Sequence, residues 1–368
     1  MGNAGPVSKQ VSGRVGFGVR IKALLLGDLF ITNELIEERM RAAFDDTDMQ
    51  FDFVSRTDEW PVKPVERNDE VREFVGGDED ILPLIADADV VLTHTACMTR
   101  RAIEAGSSLR AVAAARGGPT NINVQACTDH GIPVFYAPGR NAGAVAEFSV
   151  GMMLAVTRNI PKAHDSLRRD RRWRGDLYVL SGVGNELSRS VIGLVGLGAI
   201  GRKVAHIVRA FGARVIAYDP FVTKEQLGDL ECELVEFDEV FRQADIVSVH
   251  ARYTKENAGM IGARQIGLMK STAYFVNTAR GELVDNTALY RAVESGAIAG
   301  AGLDVFEGEP PPEGSPAYTL DNIVASTHLA GASRQAAEIG IEVAVGELKK
   351  FLTGSETPRF CVNAETLG

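Results

Sequence analysis

Residues 191–219 read VIGLVGLGAIGRKVAHIVRAFGARVIAYD. An apolar run, Val191–Val195, leads directly into the G-x-G-x-x-G of Gly196, Gly198 and Gly201. A helix-like stretch over 202–211 follows, then a β-like run over 214–218 that ends on Asp219, 18 residues beyond Gly201. In a chain with 38 glycines the glycine pattern alone says little. Strand, helix and terminal acid in one unit make it a dinucleotide fingerprint. Gly196 permits the tight turn, Gly198 lets the backbone approach a pyrophosphate, and Gly201 lets helix and strand pack closely. The amides of Ala199 and Ile200 would meet the phosphates at a helix N-terminus. Asp219 is expected to accept hydrogen bonds from ribose hydroxyls and to repel a 2′-phosphate, so the expected cofactor is NAD rather than NADP.

Working outward, the same alternation of short apolar runs and helix-length stretches recurs on both sides. Upstream, from Ile21, the runs are KALLLG, FDFVS, DVVLTH, RAVAAA and PVFYAP. Downstream of the fingerprint they are DIVSVH, YFVNTA, GAGLDVF and NIVAS. Strands alternating with helices imply parallel sheets covered on both faces. Between the two series, NAGAVAEFSVGMMLAVTRNIPKAHDSL (141–167) reads as one long helix, apolar around much of its girth, joining two domains or packing on a second subunit. After the last strand, GASRQAAEIGIEVAVGELKKFLTG reads as another long helix that belongs with the first series. The expected fold class is therefore α/β, with two doubly wound parallel-sheet domains. A Rossmann NAD-binding domain over 142–329 is inserted into a flavodoxin-like substrate domain built from 21–141 and 330–368, with residues 1–20 a loose tail.

Composition narrows the function. At 368 residues the chain is long for a single core. A net charge of -10 argues against a nucleic-acid or anionic-membrane surface and toward small-molecule chemistry. The basic stretch RRDRRWRGD (168–176) has five arginines, but Asp170 and Asp176 and the overall acidity favour a solvated helix end or a dimer edge. The four cysteines are scattered, with no zinc spacing, and read as thiols in a reducing compartment. The first twenty residues carry no apolar signal segment, and no run is long enough for a membrane span, so the expected location is cytoplasmic.

Three further stretches fall at strand ends of the inserted domain: NTARGELVD with Arg280, GLDVFEGEPPP with Asp304 and Glu309, and ASTHLAGAS with His328. Strand C-termini of a doubly wound sheet converge on its ligand crevice, so an arginine, a carboxylate and a histidine can meet there. These motifs, with GLGAIG and Asp219, resemble those of the D-isomer-specific 2-hydroxyacid dehydrogenases, most closely the 3-phosphoglycerate dehydrogenase group, from about residue 21 to 363. The resemblance implies that Arg280 binds the substrate carboxylate and polarises the keto oxygen, that Glu309 hydrogen-bonds His328 and keeps it basic, and that Asp304 holds the nicotinamide carboxamide. It also places Ala251, Thr278 and Ala279 along the cofactor, His250 on the cofactor side as a packing residue, and a homodimer on the helix beginning near 142. The chemistry agrees: a base with a pKa near the working pH takes a hydroxyl proton best, and an arginine fork matches a carboxylate.

The sequence also departs from the family pattern. AAARGGPTNIN (113–123) keeps Gly117 and Gly118, whose amides would serve the substrate carboxylate, but puts Arg116 where a glycine is usual. Arg116 either grips a second anionic or hydroxylated end of the substrate or faces solvent. Thr93–Ala96 replaces an arginine-bearing loop that helps hold phosphate, His94 in it being a possible substrate contact, so an unphosphorylated hydroxylated acid is favoured. Thr327 replaces a proline before His328 and is expected to loosen that loop. The short segment after PRFCVN leaves no place for a regulatory domain. Glu309 argues against formate dehydrogenases of this fold, which carry glutamine there. The expected activity is an NAD-dependent interconversion of a D-2-hydroxy acid and its 2-oxo acid; the alternative from another class is an NAD(H)-sensing binding protein resembling the C-terminal binding protein corepressors.

Overall fold

A computed structural model describes residues 19–367. Most of the tail expected over 1–20 lies outside the described residues; the first strand already begins at Arg20. The chain divides into two compact units, one from residues up to Arg140 together with Ala337 onward, the other from Asn141 to Ala336.

The first unit is built on a five-stranded parallel sheet in the order β2-β1-β5-β6-β7: β1 (Arg20–Asp28), β2 (Gln50–Asp58), β5 (Val90–Thr93), β6 (Ala111–Ala114) and β7 (Val134–Phe135). Counted along this sheet alone the order is 2-1-3-4-5, the flavodoxin-like winding. A two-stranded ribbon, β3 (Glu66–Arg67) with β4 (Arg72–Phe74), stands apart from it. Alternate residues of the central strands serve opposite faces, as the pleat requires. Leu24, Leu26, Val91 and Val112 pack on one side, while Ala23, Leu25, Leu92 and Ala113 pack on the other with Ile341, Val345 and Leu348 of the helix Arg334–Thr353.

The second unit carries seven strands in the order β10-β9-β8-β11-β12-β13-β14: β8 (Val191–Val195), β9 (Arg214–Tyr218), β10 (Glu233–Leu234), β11 (Ile246–Val249), β12 (Tyr274–Asn277), β13 (Gly300–Leu303) and β14 (Ile323–Ala325). Every strand pairing of this sheet is parallel among the described residues, and the order begins 3-2-1-4-5-6, the Rossmann winding. Ile192, Leu194, Val215 and Val276 meet the helices Ala142–Thr157 and Ala199–Ala210 on one face; Val195, Val247, Phe275 and Leu303 form the core of the other.

Two expectations change. The helix read as continuous over 141–167 is two helices, Ala142–Thr157 and Ile160–Arg168, parted at Asn159, which adopts a left-handed φ of 55°. Pro161 has no N–H to donate back into the preceding turn, so a straight continuation would lose a hydrogen bond and clash. The second unit also runs on to Ala336 rather than stopping at 329. The reason is local: the amides of Leu329 and Ala330 are bonded to Asp304 within that unit. Among the described residues no helix is long and apolar enough to cross a membrane.

Candidate active site

Strand β8 ends in a turn that only glycine can make. Gly196 has φ of +98°, and a Cβ there would lie 2.6 Å from the Ala251 nitrogen. At Gly201 a Cβ would come within 2.2 Å of the Gly196 carbonyl oxygen, so the helix Ala199–Ala210 can sit this close to the strand only without a side chain. Gly198, by contrast, faces open space. It is the N-cap and offers no side chain to the first turn, and among the described residues the amides of Ala199, Ile200 and Gly201 meet no protein acceptor. Uncovered amides at a helix start, with the positive end of the helix dipole behind them, form an anion cradle.

Asp219 stands at the end of β9, beside this turn. Its Oδ2 accepts from the Leu197 amide at 2.8 Å and its Oδ1 from the Phe221 amide at 2.9 Å, which fixes the carboxylate next to the glycine loop. A cleft lined by Tyr218, Pro220, Val222, Leu234, Val235, Glu236 and Glu239 opens against it. Anion cradle and fixed carboxylate, with the mixed cleft beside them, together fit a dinucleotide's pyrophosphate, ribose and base. Below the loop His250 is buried; its Nε2 lies 2.9 Å from the Ser248 hydroxyl, and its Nδ1 has no partner. Burial pushes its pKa down to about 4, so it is a neutral packing residue.

The acid–base pair is formed at the far strands. After β13, Glu309 accepts from the Phe306 amide through Oε1 at 3.1 Å and faces His328 Nδ1 through Oε2 at 2.7 Å. Burial lowers the pKa of His328, but the hydrogen bond and charge of Glu309 outweigh it and leave the net value above 6.5. Burial likewise raises Glu309, and His328 more than reverses this. The shifts agree in sign: each partner favours the other's charged form. With Nδ1 committed to Glu309, Nε2 is the nitrogen left to exchange a proton, and the His328 side chain is 45% exposed.

Arg280 follows β12, exposed, in a loop braced by Asn277, whose side chain donates to the Arg280 carbonyl and accepts from the Ala279 amide. Gly281 brings that loop onto the Phe306 backbone, where a Cβ would lie 1.9 Å from the Phe306 carbonyl carbon. This close approach sets the Arg280 charge near enough to act on both Glu309 and His328.

Asp304 and Thr278 are both buried. Asp304 is wholly buried, and its described bonds all go to the loop that carries His328: Oδ1 takes the Ser326 hydroxyl at 2.6 Å and the Leu329 amide, and Oδ2 takes the Ala330 amide. Its carbonyl accepts from the His328 amide, and His328 is held at φ of 56°. These bonds make Asp304 a clamp on the loop that carries His328. The loosening expected from Thr327 is therefore offset. Thr278 is also buried, its hydroxyl 2.7 Å from that of Ser149 on the helix Ala142–Thr157. Ser149 and Ser326 carry no motif and were not singled out from sequence.

In the first unit, Arg116 does not face solvent; its side chain is 13% exposed. Its guanidinium is paired with the Glu73 carboxylate and donates to the Glu73 carbonyl at 3.0 Å. His94 is buried rather than presented on a loop surface. Gly117 and Gly118 follow β6; a Cβ at Gly118 would stand in open space, and one at Gly117 would meet the Ala137 carbonyl oxygen at 3.9 Å.

Comparison with known proteins places the geometry in a lineage. Residues 150–330 match the model of the D-isomer specific 2-hydroxyacid dehydrogenase NAD binding domain. The chain is 39% identical over 278 residues to D-3-phosphoglycerate dehydrogenase of Methanocaldococcus jannaschii, covering 75% of this chain and 52% of that protein. It is 38% identical to hydroxypyruvate reductase of Thermotoga maritima, covering 72% of this chain and 85% of that one. It thus spans about half the length of the phosphoglycerate dehydrogenase relatives. The NAD-complexed D-isomer specific 2-hydroxyacid dehydrogenase of Lactobacillus delbrueckii ssp. bulgaricus shares the fold, with a TM-score of 0.75 at 23% identity over 93% of this chain and 99% of that one. Matched across most of a relative's length at this identity and carrying the NAD-binding domain, the chain belongs to the D-isomer-specific 2-hydroxyacid dehydrogenase family.

Proposed function

We propose that the protein is an NAD-dependent dehydrogenase that interconverts a small D-2-hydroxy acid and its 2-oxo acid. The observation that carries this is the Glu309–His328 pair, 2.7 Å apart, with the Arg280 charge close by. Gly196, Gly198, Ala199, Ile200 and Gly201 would hold the pyrophosphate, Asp219 the adenosine ribose, and Ala251, Thr278 and Ala279 the remaining edge. When bound, NAD accepts the substrate's hydride, or NADH supplies it. His328 Nε2 takes the hydroxyl proton in oxidation and returns it to the keto oxygen in reduction. Glu309 stabilises the imidazolium and fixes the ring. Arg280 holds the substrate carboxylate and polarises the carbonyl, a fork that lysine does not replace. Asp304 acts one step back, keeping the His328 loop in place.

The substrate we favour is an unphosphorylated, hydroxylated 2-oxo acid. Thr93–Ala96 offers no arginine for a phosphate, and Arg116 is occupied by Glu73. A homodimer is part of the proposal. Ile160, Leu167, Trp173, Tyr178 and Leu180 leave large apolar surface exposed in one stretch, Leu180 at 93% and Tyr178 at 90%, which a single unit does not cover. NADH oxidation over a panel of 2-oxo acids, phosphorylated and not, tests the reading. Turnover is expected to be best with an unphosphorylated hydroxylated member such as hydroxypyruvate. Preference for a phosphorylated acid would overturn the substrate assignment, and no turnover across the panel would overturn the activity.

A further inference from the structure

The helix Ala142–Thr157 lies against the sheet of the second unit through an apolar face, where Ala146, Val150 and Met153 are buried with Leu194 and Val276. Ser149 falls on that face and is fully buried. A hydroxyl taken out of water among such neighbours costs stability unless it is hydrogen-bonded. Ser149 is bonded twice: its Oγ donates to the Val145 carbonyl, one turn back, at 2.6 Å, and lies 2.7 Å from the Thr278 hydroxyl. A serine hydroxyl has one proton to give. With that proton on Val145, Ser149 accepts from Thr278, so the Thr278 proton points to the helix. The dependence is one-sided. The helix satisfies Ser149 by itself, whereas among the described residues the buried Thr278 hydroxyl has Ser149 as its partner.

Thr278 stands in the segment that carries Arg280, and all of these residues belong to the second unit. The Asn277 side chain accepts from the Ala279 amide and donates to the Arg280 carbonyl, which fixes the shape of the turn. Gly281 seats its far end on the Phe306 backbone. The Thr278 hydroxyl adds a tie from its near end to the helix. The guanidinium itself rests on this segment, its Nη1 donating to the Ala279 carbonyl at 2.8 Å. That carbonyl belongs to the residue next to Thr278, so a shift at Thr278 reaches Arg280 through a single residue.

We propose that Ser149 is a positioning residue for Arg280, acting through the hydroxyl of Thr278. Without the Ser149 oxygen the Thr278 proton is left buried and unpaired, and the segment must shift to find another acceptor, taking with it the carbonyl on which the guanidinium rests. The proposal rests on the dehydrogenase reading for the role of Arg280; the hydroxyl pair itself does not. A neutral hydrogen bond of this kind corresponds to about 3- to 10-fold in an equilibrium constant.

The test is a double-mutant cycle read by steady-state kinetics on the best 2-oxo acid of the panel: wild type, Ser149→Ala, Arg280→Met and the two combined, with Ser149→Thr as the rescue. Ser149→Ala is expected to lower kcat/KM about 3- to 10-fold, chiefly through KM, with NADH affinity little changed. Threonine at 149 keeps the hydroxyl and should recover most of the loss. In the Arg280→Met background the alanine change should cost nothing further, because the group that it positions is gone. An unchanged kcat/KM in Ser149→Ala would overturn the assignment. So would a loss of the same size in the Arg280→Met background, or NADH affinity falling in step with KM, since either marks a general structural effect. If the wild type turns over no 2-oxo acid, the dehydrogenase reading fails and calorimetric binding of oxalate to the NADH-loaded protein decides the role of Ser149. Oxalate weakened by alanine and restored by threonine supports it; oxalate affinity indifferent to both, or no oxalate binding at all, overturns it.

Discussion

At the scale of single residues the proposed chemistry rests on one hydrogen bond, between Glu309 Oε2 and His328 Nδ1. Glu309 holds the His328 pKa above its ordinary 6.5 by favouring the imidazolium. In the reducing direction the protonated ring is the active form, so activity is lost as pH rises through that raised pKa. Replacing Glu309 with Gln removes the charge and lets burial lower the value. The alkaline limb of the kcat/KM profile for reduction is then expected to move to lower pH, with kcat reduced about 10- to 100-fold. A pH profile unmoved by the substitution would separate Glu309 from the proton transfer. The Glu309–His328 pairing was legible in the sequence because each residue lies in a motif at a strand end. The clamp role of Asp304 was not, because it depends on hydrogen bonds to Ser326, Leu329 and Ala330 across a loop whose path no local pattern dictates. The Arg116–Glu73 pairing was not legible for the same reason: Glu73 is 43 residues away in the chain.

At the scale of elements, the strand–turn–helix from Val191 to Ala210 depends on contact between Gly201 and the Gly196 carbonyl. Gly201→Ala forces the helix off the strand, and we expect a loss of about 1–3 kcal/mol in denaturant unfolding. NADH binding, followed by nicotinamide fluorescence, should weaken with it because the amide cradle moves. Full stability together with full NADH affinity in this variant would contradict the geometry. Strand runs such as VVLT and YFVN were readable because buried parallel strands are apolar throughout. The two-residue β10 and the β3–β4 ribbon were not, being too short and too polar to leave a period. The break at Asn159–Pro161 was visible in principle, since proline marks a helix start; the continuous apolarity on either side masked it.

For the whole molecule, the two windings follow from the order of strand runs, and the insertion of one unit into the other was readable because the final long helix has no strand partner in the series it follows. Assembly is where surface exposure speaks. Trp173, Tyr178 and Leu180 are exposed side by side in sequence beyond the helix Ile160–Arg168. The double variant Trp173→Asp, Leu180→Asp is expected to sediment as a monomer where the wild type sediments as a dimer. A monomeric wild type, or a variant that remains dimeric, would remove this stretch from the interface. The central claim, that His328 moves the proton in an NAD-linked reaction, is tested most directly by His328→Asn measured for turnover and for NADH affinity in the same preparation. The account predicts turnover of the preferred 2-oxo acid falling about 100- to 10,000-fold while NADH binds within a few-fold of wild type. Turnover retained in the presence of normal NADH binding would contradict it.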